Sequence, residues 1–436
     1  MRSFLLALFA LQSAQAEVTF SRDVSPIFNA KCTTCHQKGE IGPMPLTSYE
    51  EARPWAAAIR QAVAARTMPP WHADAATSHR LANARALSPA EIQTITTWAD
   101  TGAKPGPNAK SQAKPTQANS KQEWSLGKPD LVVSVKGFRI PAKGVVEYTF
   151  LVTPTKLDRD VWIEAAEWRI DKRQSVHHMN AFIRPPGSSY IAAAPAGAHY
   201  VASRNERGAR RPDELETDRR ELLLGYEPGY RPIGWGKGRG KLLRKGSDIV
   251  FEMHFNPNGN ELVDDSELGI YFAKETPKER VLTIVPADSK LAIPPGDSNY
   301  LSVAQAQFVS PVTLISMQPH MHLRGKDFHI KAAYPDGREE TLLNVPRYDF
   351  RWQTTYFLRN PIPLPTGTKL DITAHFDNSP NNPANPDPKQ LVRWGDQSWE
   401  EMNIGFIEVA FPVTTNPEVA KLSDTSKPSP GTSTQR

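Results

Sequence analysis

Cysteine is nearly absent from this chain: 436 residues hold two, Cys32 and Cys35. A disulfide framework and a four-thiolate zinc site are therefore excluded. Long apolar runs are missing as well, since the strongest, Phe4-Leu5-Leu6-Ala7-Leu8-Phe9-Ala10-Leu11, is too short to span a bilayer and nothing longer follows. No transmembrane anchor is expected. Charge of one sign is also lacking, with a formal net charge of +5 that falls to +4 (5 − 1) once Arg2 is set aside. The basic residues at 204–220 are interleaved with Glu206, Asp213, Glu214, Glu216 and Asp218, the pattern of a solvated loop. Nucleic acid is not an expected partner.

What is present begins with a leader. Arg2, the apolar run and Ala14-Gln15-Ala16 form the three parts of a secretory signal, and cleavage after Ala16 starts the mature chain at Glu17. The expected location is the periplasm or outside the cell.

Both cysteines fall in Cys32-Thr33-Thr34-Cys35-His36, the C-x-x-C-H attachment signature of a c-type haem. The thiols bond the porphyrin and His36 is the expected proximal iron ligand. Around it, residues 17–103 carry helical patterns. Trp55, Ile59 and Val63 recur at helical spacing, and Ser88-Pro89-Ala90-Glu91 is a helix start leading through Ile92, Ile95 and Trp98 to Gly102. A small all-α cytochrome c-like domain is expected here. Met68, followed by Pro69 and Pro70, is the first choice for the distal ligand; Met44 competes, with His72 and His79 behind it.

Residues 104–124 read as a flexible linker and residues 414–436 as a disordered tail. Between them, short alternating runs punctuated by Pro, Gly, Asn and Asp predict β-sandwich architecture. Gly234 to Gly240 carries glycines without the strand and helix of a nucleotide loop, and is expected to be a flexible connection. Residues 378–388, rich in proline and asparagine, form a long loop upstream of Met402.

Histidines in this region cluster. Ile249, Phe251, Met253 and Phe255 alternate as one apolar strand face, which puts His254 on the other. His320 and His322, at i and i+2 of a strand, have the spacing two imidazoles need to share a metal. His177 and His178 are adjacent and would face opposite ways, so both can ligate only with a bulge or a strand end between them. Imidazole-rich sites suit copper, zinc, iron or nickel, and an added thioether such as Met402 shifts the choice toward reduced copper. His199, His329 and His375 are read as ordinary core or surface residues.

The ordered set His177-His178-Met179, Met253-His254, His320-x-His322-Leu323-x-Gly325-Lys326 and Glu401-Met402 resembles the copper type II ascorbate-dependent monooxygenases, the family of peptidylglycine α-hydroxylating and dopamine β-monooxygenases. The resemblance spans residues 131–413. It implies two antiparallel, jelly-roll-like β-sandwich copper domains, 125–278 and 279–413. It further implies an electron-transfer copper on His177, His178 and His254, and an oxygen-activating copper on His320, His322 and Met402. In family members the two sites face each other across a solvent-filled cleft. The implied partners are O2, a small organic substrate and an external electron donor, with the haem passing electrons singly in place of ascorbate.

Departures from the animal enzymes narrow the substrate. Their disulfides are absent, Gln318 stands where the peptide-hydroxylating member grips a carboxylate with arginine, and Phe406 replaces a tyrosine. A glycine-extended peptide is not the expected substrate. The alternative function is a non-catalytic electron-transfer or copper-handling protein.

Overall fold

The computed structural model describes residues 17–107, 124–202, 220–230, 232, 234–395 and 397–424. The leader, most of the linker, most of the mixed-charge loop and the end of the tail lie outside them. The described part is mostly β-sheet, and it divides into a helical unit and a larger β unit.

In the helical unit Ser88 and Glu91 close a reciprocal capping box at the start of the helix Pro89–Asp100, whose Ile95 and Trp98 are buried. Trp98 packs against Phe20 and Phe28, which also meet each other edge to face. The helix Ala56–Ala64 buries Ile59 and Val63, but Trp55 departs from the expected face and is 46% exposed. It ends the 3-10 turn Arg53–Trp55, whose tighter winding shifts the angular register before the α-helix begins.

The stretch 17–103 is not one block. The helical unit keeps residues up to Lys38, then Pro43–Pro69, then residues from Leu87 onward, while Gly39–Gly42 and Pro70–Ala86 belong to the β unit. Pro70–Ala86 is stitched there by backbone bonds from Asp74 N–H to Asn344 O (2.9 Å) and from Ala82 N–H to Phe357 O (2.8 Å). Trp71, Ala73 and Leu81 join its apolar core. His72 and His79, the lesser distal-ligand candidates, lie in this segment.

The β unit is organised by one eight-stranded sheet, in the order Leu131–Ser134, Glu267–Phe272, Val161–Arg169, Arg239–Leu243, Glu279–Ile284, Ile404–Pro412, Val312–His320, Tyr356–Leu364. Its joint is a parallel pairing of Arg239 with Glu279 and Gly240 with Arg280. The glycine-rich segment expected to be a free connection thus runs into a central strand. Glu279 opens the strand Glu279–Ile284, which follows this joint in the chain.

Alternation along the central strands sends Val281, Ile315 and Ala410 into one core and Leu282, Leu314 and Val409 into another. Each core is closed by a five-stranded sheet. One contains Val176–Arg184 and Asp248–Phe255; the other contains Gly325–Ala333 and Tyr300–Phe308. The expected tail begins too early, because Ala420–Asp424 pairs with Tyr300–Phe308 as an edge strand.

Beside the joint lies a buried ionic cluster. Lys241 is fully buried and its Nζ donates to Leu222 O (2.8 Å) and Thr283 Oγ1 (3.0 Å), 3.0 Å from Glu408 and 3.7 Å from Glu221. Arg280 holds the other oxygen of Glu221 at 3.3 Å. Removing one partner strands the others without water. Lys241→Met is expected to cost about 3–5 kcal/mol, read as a lower urea midpoint, and Lys241→Met with Glu408→Gln should recover part of the loss.

Candidate metal centres

The strand Val176–Arg184 pairs with Asp248–Phe255, with Val176 opposite Phe255 and His178 opposite His254, and the register slips between them. The slip is a bulge at His177. It resolves the geometric difficulty of adjacent histidines, because the extra residue turns one ring to the side its neighbour already faces. His177, His178 and His254 then present ligand atoms all within 4.8 Å of one another.

Nδ1 of His177 lies 3.1 Å from Nδ1 of His178. Two imidazole nitrogens bound to one ion at about 2.0–2.1 Å stand about 3.3–3.4 Å apart near tetrahedral angles. Nδ1 of His254 is buried and has no hydrogen-bond partner. Such an orphaned acceptor is what a metal would satisfy, so the three residues fit one. Tyr148 stacks on the His254 ring at 4.5 Å and fixes its plane.

The second pair is arranged differently from the expectation. His320 ends the strand Val312–His320, and His322 lies beyond it, in the turn before Gly325–Ala333. The rings are nonetheless 5.1 Å apart, nearly perpendicular. His322 Nδ1 donates to Glu400 O at 3.2 Å, and His320 Nδ1 pairs with Gln353 Oε1 at 2.6 Å. With both Nδ1 positions committed, each ring offers Nε2 to a ligand.

Met402 is buried and adjoins Glu401, whose carboxylate accepts from the backbone N–H of His322 (2.8 Å) and of Arg324 (2.6 Å). Asn378, at the start of the proline-rich loop, receives Arg324 Nε at 2.9 Å. Gly325 is required by space, since a Cβ there would meet Met321 Cβ at 2.8 Å and Tyr348 Cδ1 at 2.9 Å.

A loop at residues 346–355, which sequence reasoning missed, connects all of this. Tyr348 Oη donates to Met321 O and accepts from its N–H, and Gln353 holds His320. The Phe350 ring lies 5.4 Å from His177 and 5.8 Å from His322. The two histidine sets are therefore joined by an aromatic ring, where the resemblance implied open solvent between them. No metal-ligand spacing or helical period marks such a loop.

A small recess of about 40 Å³ lies near His320, reached through Phe406. It is lined by Gln318 and Phe406, the latter in edge contact with the His320 ring, and by Trp235, Phe357 and Glu227. Burial pushes the Glu227 carboxyl up to about 7, although it accepts the Thr355 N–H.

In the helical unit Cys32 and Cys35 form no disulfide, and burial pushes the Cys32 thiol up to about 12. That is the reverse of an activated redox dithiol, which needs a lowered value. His36 Nδ1 donates to Met44 O at 3.0 Å, leaving Nε2 for an axial bond. The bond ties the Met44 main chain to the His36 side, and Met68, half-buried after the helix Ala56–Ala64, remains the distal candidate.

No known family model matches the chain, and no curated protein does. Among solved structures, that of the infectious bursal disease virus Gx strain covers 67% of this chain and 75% of its own at 10% identity and a TM-score of 0.17. That likeness is too slight to carry an argument. Among the described residues no helix is long and apolar enough to cross a membrane.

Burial sets the proton balance of the metal-free protein. It pushes His177 and His320 down to about 4, His254 and His322 down to about 3, and His178 well below its ordinary value. It pushes Glu40 and Glu227 up to about 7 and Glu401 up to about 8. Below about pH 6.5 the unfolded chain takes up protons that the folded histidines refuse, so stability falls as pH falls. Above it the unfolded chain has released protons that the folded carboxyls retain, so stability falls as pH rises. Urea unfolding should show stability falling as pH drops below about 6.5 and falling again as pH rises toward about 8; a monotonic profile would refute this balance.

Proposed function

We propose that the chain is an exported haem- and copper-dependent oxidoreductase, a dicopper monooxygenase that hydroxylates a C–H bond of a small organic substrate with O2. The observation that carries this reading is the convergence of His177, His178 and His254 on one buried point, with His320 and His322 one aromatic ring away. In this reading His177, His178 and His254 hold one copper, and His320, His322 and Met402 hold the other. Cys32, Cys35 and His36 carry a covalent haem whose distal ligand is Met68.

Copper on such ligands cycles between two oxidation states and, where a soft thioether joins two imidazoles, favours the reduced ion that reacts with O2. The protein's own groups prepare that chemistry. Gln353 and the Glu400 carbonyl lock the His320 and His322 rings with Nε2 outward. Glu401 pins the turn between His322 and Arg324, which fixes the main chain on both sides of Met402 and the histidine pair. Phe350 and Tyr148 cover the rings and keep bulk water from them.

The recess near His320, about 40 Å³, has room for only a small group of a substrate, whose C–H bond would be presented there. Gln318 donates its amide to Gln353 O at 2.9 Å, so it is a neutral wall with no charge for a carboxylate. Trp235, Phe357 and Phe406 favour a compact apolar body, and Glu227 disfavours an anionic one.

Copper-loaded, reduced protein is expected to take up O2 in proportion to product when a suitable small molecule is supplied. His320→Ala and Met402→Ala should lower that rate at least 100-fold and each release about one copper, while His254→Ala should release the other. Full copper loading with electron transfer but no substrate-dependent O2 uptake would instead identify an electron-transfer protein. Failure of the wild type to bind copper would end both readings.

A further inference from the structure

The His320 ring is held by Gln353, whose Oε1 meets His320 Nδ1 at 2.6 Å. Gln353 lies three residues before the strand Tyr356–Leu364, and the pairing of that strand with Val312–His320 begins only at Tyr356, opposite Met317. The stretch between is fastened largely by side chains. Gln318 Nε2 donates to Gln353 O at 2.9 Å and Asn83 Nδ2 donates to Thr355 O at 2.7 Å. The Thr355 N–H donates to Glu227 Oε1 at 3.1 Å. All of these residues belong to the β unit.

Glu227 differs from the other holders in where its main chain comes from. It directly follows the strand Glu221–Tyr226, in which Tyr226 is paired with Met179, and Met179 adjoins His178. The Tyr230 N–H bonds to Glu227 O at 2.9 Å and closes the turn behind it. Its backbone thus grows out of the sheet that carries His177, His178 and His254, while its side chain grips the stretch that fixes His320. The residue is buried, and burying a carboxyl against one main-chain N–H costs stability. An apolar side chain would serve packing better. What the arrangement provides is a fixed orientation for an imidazole, which metal sites draw from the partner on the ring's other nitrogen.

We propose that Glu227 is a positioning residue for the ion at His320, tying the set His177, His178 and His254 to the set His320, His322 and Met402 through Thr355 and Gln353. This deepens the function proposed above and rests on its copper sites. Glu227 is not itself a ligand. It keeps the Gln353 oxygen on His320 Nδ1, which retains the proton there and leaves Nε2 to ligate. The hold requires an acceptor oxygen rather than a charge. Glutamine can supply that oxygen from the same position; methionine, of similar length, cannot.

The test uses the full chain carrying His254→Ala, which leaves copper on the His320 set alone, with copper itself as the probe. Cuprous affinity is measured by competition with a chelator, and the cupric form by the hyperfine splitting of its paramagnetic signal. Glu227→Met in this background should weaken cuprous binding about tenfold and shift the splitting, whereas Glu227→Gln should stay within about twofold of the parent and leave the splitting in place. Asn83→Ala, which frees the Thr355 carbonyl, should shift the splitting in the same direction, and it carries the test where Glu227→Met does not fold. A folded Glu227→Met with the parent's affinity and splitting overturns the inference and leaves the copper sites standing, even if its urea midpoint falls, since that is what a merely structural role would give. Glu227→Gln behaving like Glu227→Met overturns it too, because charge would then be the requirement. A parent that binds no copper overturns the proposed function, and the positioning role with it.

Discussion

The parallel pairing of Arg239–Leu243 with Glu279–Ile284 is the constraint on which the β unit depends. It makes two sandwiches share one sheet, so neither can rotate away from the other without breaking backbone hydrogen bonds. Residues at this joint alternate between two cores, and Lys241 beside it is surrounded by Glu221, Glu408 and Thr283. A buried charge cluster of this kind is not cheap in stability, and aliphatic packing would serve stability as well. What it enforces is register: Lys241 meets all its partners only when Arg239 faces Glu279. The joint therefore sets the separation of two histidine sets carried by different sheets.

From that rigid base the site is completed by loops. The strand pairing Val176–Arg184 with Asp248–Phe255 places three rings by itself, through a bulge and a cross-strand pair. The other set needs help, since His322 is already past its strand, and the help comes from Glu401, Glu400 and the 346–355 loop. A set positioned by loops has more freedom to rearrange than one positioned by ladder bonds. This asymmetry matches the division of labour proposed for the two coppers. An electron-transfer site works best when its geometry stays fixed, and a site that admits O2 and releases product needs room to change.

The histidine clusters were readable in the sequence because metal chemistry demands particular side chains at short spacings. The bulge at His177 followed from the same logic: two adjacent strand residues cannot face one point without it. The capping box at Ser88 was legible for similarly local reasons. Phe350, Gln353 and Tyr348 were not, because their value comes from where one loop lands in three dimensions, and their spacing carries no period. Trp55 misled because periodicity was extended through a 3-10 turn. The strand Ala420–Asp424 was missed because a Ser, Thr and Pro-rich composition hides an edge strand, which needs few apolar residues. The excursion Pro70–Ala86 was the largest miss: helical patterns on both sides gave no sign that the chain leaves its own unit between them.

That excursion bears on how two chemistries could coexist in one chain. Residues 39–42 and 70–86 are fastened inside the β unit, the first by a buried Glu40 against Arg173 and the second by Trp71 and Leu81 within the core. Loss of core burial at Leu81 would cost about 2–5 kcal/mol, which makes release of this segment a rare event. The chain thus enters the β unit beside each residue proposed to bind the iron.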